Sequence, residues 1–221
     1  MSSKGFKQLL FDQFARVAKA LGNGYRLELL EFLAQGERSV ESLAQVSRLS
    51  IANTSQHLQR LRQAGFVQTR MDGHKVLYSL SGSEIIELLN LLRRVAENNL
   101  AEVDRLVQTY LTAKDDLEGI AAEDLISRAE AGEITIIDVR PELEYRAGHV
   151  PGAINMPLQE LEKRSQAFSP TMEIVAYCRG PYCVLAFEAV ERLRKKGFKA
   201  ARLEGGLPEW RLAGYPVETS N

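Results

Sequence analysis

The apolar residues of this 221-residue chain change their spacing near residue 112, and that change limits the possible folds more than any other feature. Before it they recur at helical intervals. Phe6, Leu10, Phe14, Val17, Ala18 and Leu21 lie on one face of a helix that Gly22-Asn23-Gly24 stops. After it, short apolar runs at residues 134–139, 173–177 and 199–203 alternate with amphipathic segments, the pattern of buried parallel strands joined by helices. The length accommodates two domains of ordinary size. The predicted organisation is a mainly α domain at residues 1–112 and an α/β domain with a parallel sheet at 113–221. Thr112-Ala113-Lys114-Asp115-Asp116 is the expected linker.

In the first half, further helices are expected at residues 25–35, at 39–46 with Ser39 as the cap, and at 51–64 with Ser50 as the cap and Gly65 as the stop. Residues 67–70 and 75–80 flank Met71-Asp72-Gly73-His74, a hairpin signal. A long helix at 84–110, carrying Ile85, Leu88, Leu92, Val95, Leu100 and Leu106, is too apolar to stand alone on a small domain and implies a partner. Short helices, a tight turn and a hairpin make a winged helix-turn-helix, whose fourth helix would enter the major groove of double-stranded DNA.

At 100° per residue that helix places Ile51, Leu58 and Leu61 on one face with Thr54 beside them. The candidate DNA-reading residues are Asn53, Ser55, Gln56, His57 and Arg60, whose side chains can bond base edges and phosphates. On the hairpin, Arg70, His74 and Lys75 would touch the backbone. Charge agrees in sign: 14 basic against 11 acidic residues up to Thr112, then 14 against 18.

No apolar run reaches the roughly 18 residues of a membrane span, and Met1-Ser2-Ser3-Lys4-Gly5 lacks a signal-peptide core, so a cytoplasmic protein without membrane partners is expected. In that compartment the only two cysteines, Cys178 and Cys183, read as reactive rather than structural. They bracket Cys178-Arg179-Gly180-Pro181-Tyr182-Cys183, where an apolar run ends and an amphipathic one begins. Unpaired N–H groups and the helix dipole favour a thiolate there. Arg179, Gly180, Tyr182, Cys183 and Val184 offer N–H groups to a cradle for an extra anionic sulfur, while Pro181 has none. Arg179 is either a charge for an anionic donor or a solvated side chain. Cys183 is either a small buried hydrophobe or a resolving thiol.

Two family resemblances follow from longer motifs. The first half resembles the ArsR-type winged-helix repressors of bacteria through Leu43-Ala44-Gln45, Thr54-Ser55-Gln56-His57-Leu58-Gln59-Arg60-Leu61-Arg62-Gln63-Ala64-Gly65-Phe66-Val67 and Gly73-His74-Lys75-Val76-Leu77-Tyr78. The resemblance implies a homodimer built on the first and last helices, which assigns Phe6, Phe14, Leu88, Leu92 and Val95 to an interface. It departs from metal-sensing members, since the third helix has no cysteine and the last no histidine. With His57 and His74 on the expected DNA surface and His149 in the other half, no metal site and no cofactor are expected.

The second half resembles single-domain rhodaneses from about residue 117 to 218. The matching motifs are Ile137-Asp138-Val139-Arg140-Pro141-Glu142-Leu143-Glu144-Tyr145-Arg146-Ala147-Gly148-His149-Val150-Pro151-Gly152 and Leu203-Glu204-Gly205-Gly206-Leu207-Pro208-Glu209-Trp210. That resemblance implies that Cys178 accepts sulfane sulfur as a persulfide and passes it to a thiol acceptor. Phosphatase relatives place an arginine six residues after the cysteine. Val184 stands there, so the short loop suits a single sulfur atom better than a tetrahedral oxyanion. Structural roles at strand ends and turns are expected for Asp138, Arg140, Glu144 and His149, with a place near the site as the alternative for Arg140.

Together these readings lead to a transcriptional repressor that senses sulfane sulfur from donors such as thiosulfate or polysulfide. Two rivals stand beside it: a sulfurtransferase that uses its winged helix for dimerisation or localisation, and a thiol sensor of oxidants or arsenite without turnover.

Overall fold

The computed structural model of the protein describes residues 3–112, 119–169 and 171–220, so most of the expected linker lies outside the described residues. The chain divides into two compact units, residues 1–89 and 90–221.

The first unit opens with helices α1 (Ser3–Leu21) and α2 (Gly24–Gln35). Asn23 caps α2 by accepting the Arg26 amide. The buried Arg26 side chain closes the turn from within, its guanidinium donating to the carbonyls of Lys19 (3.2 Å) and Ala20 at the end of α1. After strand β1 (Arg38–Ser39), Ser39 and Ser50 cap α3 (Val40–Ser47) and α4 (Ile51–Gln63) by accepting the amides of Ser42 and Asn53. Gly65 adopts φ 83°, a conformation open to glycine, and turns the chain into β2 (Val67–Asp72).

Strand β3 (Lys75–Leu80) pairs antiparallel with β2 in the register Asp72↔Lys75, so Gly73 (φ 58°) and His74 form the two-residue turn and the hairpin is longer than expected. β1 adds to its other side through Arg38↔Tyr78, giving the order β1-β3-β2. The core unites Leu29, Leu30, Leu43, Leu58, Leu61 and Phe66.

Two expectations need correction. Ile51, placed on the buried face with Leu58 and Leu61, is 56% exposed. It is the first residue of α4, one turn beyond the reach of the core, and Thr54 takes its place inside with its hydroxyl donating to the Ser50 carbonyl. The single helix expected at 84–110 is interrupted, becoming α5 (Glu84–Asn99) and α6 (Ala101–Val107), with a π-helical turn at Gln108–Thr112. Leu100 between them is extended (φ −114°, ψ 98°). Asn99 bonds the Val95 carbonyl with its side chain (2.8 Å), the kind of local competition for the backbone that makes asparagine a weak helix former.

The second unit is a five-stranded parallel sheet of order β4-β8-β7-β5-β6. Its strands are β4 (Gly119–Ile120), β5 (Ile134–Asp138), β6 (Ile154–Asn155), β7 (Glu173–Tyr177) and β8 (Ala200–Leu203). The three longer strands coincide with the expected apolar runs, while the two-residue edge strands carry no such signal. Helices α7 (Ala122–Glu130), α8 (Glu142–Ala147), α9 (Leu161–Arg164), α10 (Val184–Lys195) and α11 (Leu207–Leu212) intervene or follow.

Strand β7 is central and covered on both sides. Ile174 and Ala176 join a cluster with Ala189, Val190 and Leu193 of α10, while Val175 and Tyr177 join one with Leu125 of α7 and Trp210 of α11. Burial on both faces is why the strand reads as an unbroken apolar run. It delivers Cys178 to the carboxyl end of the sheet, where open α/β folds hold their ligands.

Candidate functional site: a two-thiol loop and a DNA-reading helix

Cys178 follows β7 directly and Cys183 is the residue before α10, so the loop between them joins a strand end to a helix N-terminus. The two are joined as a disulfide with a Cα–Cα separation of 6.1 Å, and both are buried. Within the loop's turn the Cys183 amide donates to the Gly180 carbonyl (3.1 Å). That bond engages one of the N–H groups expected in the cradle. The amides of Arg179, Gly180, Tyr182 and Val184 belong to the same turn and the first residue of α10.

Arg179 is neither solvated nor free. Its Nε and Nη2 donate to the two carboxylate oxygens of Glu144 at 2.9 and 2.8 Å, and Glu144 is 1% exposed. A bidentate pair of this kind fixes the direction in which the chain leaves Cys178. Glu144 therefore acts on the loop from α8, a role that its place in a charged turn did not reveal.

Beneath the loop lies a second buried pair. Arg140 donates through Nε to both carboxylate oxygens of Asp138 (2.9 and 3.1 Å) and through Nη2 to the Gly148 carbonyl (2.7 Å). The Tyr177 hydroxyl donates to Asp138 (2.7 Å) and accepts the Val150 amide (3.0 Å). Burial, reinforced by the Asp138 charge, pushes the Tyr177 phenol well above its ordinary range, so it stays a donor. His149 stacks on Tyr145 at 3.8 Å with its Nδ1 2.9 Å from the Tyr145 carbonyl. These contacts fit the structural roles expected for Asp138, Arg140 and His149.

The Gly205-Gly206 pair closes the loop from the other side. A Cβ on Gly206 would lie 2.4 Å from the Gly180 nitrogen and 2.7 Å from the Cys178 carbonyl oxygen, so only glycine lets the chain pass. The Leu207 amide donates to that same carbonyl (3.2 Å). Tyr182, next to Cys183, donates its hydroxyl to Glu97 (2.7 Å), and burial followed by that carboxylate pushes its phenol up to about 12.

On α4, Asn53, Gln56 and Arg60 are exposed along one side, Ser55 is half-buried, and Thr54, Leu58 and Leu61 hold the opposite side in the core. His57 turns inward: its Nδ1 is buried without a partner, its ring lies 6.0 Å from that of Tyr25, and burial, then the charges of Arg26 and Arg60, lower its pKa. On the hairpin, His74 and Lys75 are exposed, whereas the Arg70 guanidinium is paired with Glu37 (Nε to Oε2, 2.7 Å). Among the described residues no group of three or more His, Cys, Asp and Glu side chains is placed to hold a metal ion, and no helix is long and apolar enough to cross a membrane.

Comparison with known proteins agrees with both halves. Residues 23–69 match the family described as bacterial regulatory protein, arsR family, and residues 121–213 match the rhodanese-like domain. The HTH-type transcriptional regulator Rv0324 of Mycobacterium tuberculosis is 45% identical over 96% of this chain and 93% of its own length. A sulfurtransferase of Allochromatium vinosum is 26% identical over 44% of this chain and 92% of its own. The solution structure of a homodimeric winged helix-turn-helix DNA-binding domain from Mycobacterium bovis has 40% identity, covers 45% of this chain and 91% of that one, and superposes with a TM-score of 0.42.

Proposed function

This chain belongs to the arsR family of bacterial regulatory proteins and carries a rhodanese-like domain after its winged helix; on that premise we propose that it is a DNA-binding repressor governed by the sulfur state of Cys178. The observation that carries this reading is the pairing of Cys178 with Cys183 across one short loop between a strand end and a helix N-terminus.

The chemistry balances with a sulfane donor alone. The Cys178 thiolate attacks the outer sulfur of thiosulfate, the donor S–S bond breaks, sulfite leaves with the electron pair, and Cys178 carries a persulfide. The Cys183 thiolate then attacks the Cys178 Sγ and expels hydrosulfide, leaving the disulfide. The two thiols are oxidised and the transferred sulfur is reduced to sulfide; of the two thiol protons one leaves on hydrosulfide and the other passes to sulfite or water.

In this reading Asn53, Ser55, Gln56 and Arg60 read the operator, with His74 and Lys75 on its backbone. Two chains pair through the exposed apolar residues Phe6, Phe14, Leu88, Leu92 and Val95. The sulfur state changes how residues 84–110 set the spacing of the two α4 helices. Anisotropy of a labelled fragment of the gene's own promoter, at fixed salt, tests it. Polysulfide treatment is expected to change the affinity at least tenfold in wild type and not in Cys178→Ser. Equal responses in the two proteins sink the reading.

Similarity to the Allochromatium vinosum sulfurtransferase favours a second reading, in which the persulfide passes to an external thiol acceptor. Steady turnover of thiosulfate with cyanide, alongside promoter binding indifferent to polysulfide, would select it.

A further inference from the structure

Two residues upstream of the rhodanese-like match reach the thiol loop, and both belong to the unit of residues 90–221. Glu97 accepts the Tyr182 hydroxyl at 2.7 Å. Arg93 lies four residues earlier, its guanidinium carbon 5.9 Å from the centre of the Tyr182 ring, with Nη1 bonded to Asn90 (3.0 Å) and 3.5 Å from a carboxylate oxygen of Glu209. The other Glu209 oxygen accepts the Gly206 amide (3.0 Å), and Gly206 is the residue pressed against the backbone of Cys178 to Gly180.

An arginine and a glutamate four apart on a helix ordinarily face each other as a surface pair of small value. Here each is directed at the loop instead. Glu97 holds the Cys183 end through Tyr182, and Arg93 holds the Cys178 end through Glu209 and Gly206.

We propose that Glu97 and Arg93 of α5 are positioning residues of the thiol loop, holding its two ends so that Cys183 can reach a persulfide on Cys178, and that bridging is reported to α5 through Tyr182. The proposal rests on the reading that Cys178 and Cys183 carry redox chemistry. Tyr182 is bonded directly to Cys183 in the chain, so forming or opening the S–S bond changes the position from which its hydroxyl addresses Glu97. Ile85, in the first turn of the same helix, is a buried core residue of the first unit.

The test is the rate at which full-length protein loses both thiols to a Cys178–Cys183 bridge after polysulfide is added, followed by alkylation and mass spectrometry. Glu97→Ala and Tyr182→Phe are expected to slow bridging about tenfold, the factor carried by one hydrogen bond to a charged group. Glu97→Gln, which keeps an acceptor oxygen, is expected to recover most of the rate, a rescue that general loss of folding would not produce. Wild-type bridging rates in both Glu97→Ala and Tyr182→Phe overturn the proposal, even where Cys178→Ser abolishes the promoter response and the sulfur-sensing reading survives. Absence of any bridge in wild type overturns both together.

Discussion

Phe14 and Phe187 are the same side chain in two amphipathic helices, yet Phe14 on α1 is 56% exposed and Phe187 on α10 is 1% exposed. Helix α10 packs Ala186, Ala189, Val190 and Leu193 against Ile174 and Ala176 of the parallel sheet, and the Arg202 guanidinium of β8 lies 4.5 Å over the Phe187 ring. Helix α1 turns Phe6, Leu10, Phe11 and Phe14 outward and leaves them 40% to 61% exposed. Helical periodicity announces that a face is apolar. It does not say which surface covers it, and the two helices answer in opposite ways: α10 internally, α1, in the proposed dimer, through a second chain.

The sharpest way to break this comparison is to disturb what the second unit buries. Asp138→Ala leaves the fully buried Arg140 without its carboxylate and is expected to cost about 3–5 kcal/mol in denaturant unfolding. Phe187→Ala is expected to cost about 3–5 kcal/mol by removing a buried ring over which the Arg202 guanidinium of β8 lies at 4.5 Å. If either change costs under 1 kcal/mol, the self-contained core is wrongly assigned. Phe14→Ser is expected to behave in the opposite way, shifting sedimentation from dimer towards monomer while each chain stays folded. An unchanged sedimentation coefficient would remove α1 from the interface.

Smaller effects sharpen the picture of the first unit. Ser50→Ala removes the cap of α4 and is expected to cost about 1 kcal/mol, with weaker promoter binding measured at the same salt. His57 supplies a pH dependence. Its pKa is lowered in the fold, so below its ordinary value of about 6.5 the unfolded chain binds more protons and acidification favours unfolding. The unfolding midpoint of wild type should therefore fall between pH 7 and 5.5 more than that of His57→Gln. Parallel curves would show that His57 is not desolvated.

Much of this was legible in residue order because its causes are local. Ser39 and Ser50 cap helices three residues from the amides they accept, Gly65 turns the chain at a positive φ, and the Asp72-Gly73 pair marks the hairpin. The break at Leu100 was hidden because Leu92, Val95, Leu100 and Val103 keep an apolar rhythm across it. Edge strands of two residues were hidden because their partners, Arg202 and Leu203 or Ile137 and Asp138, are distant in the chain. At the thiol loop the two cysteines and the glycine pair were visible, while the clasp of Arg179 by Glu144 and the reach of Arg93 and Glu97 were not.

Composition and spacing alone determined the two-part organisation, the helix caps, the hairpin and the short distance between two thiols, since each depends on residues within a few positions of one another. Tertiary structure decided which apolar faces are covered, that Arg179 is held by a buried carboxylate, and that Tyr182 of the loop bonds Glu97 of α5. Those bonds join groups 35 or more residues apart. Burial and charge pairing act across space, and only the completed sheet brings such groups within bonding distance.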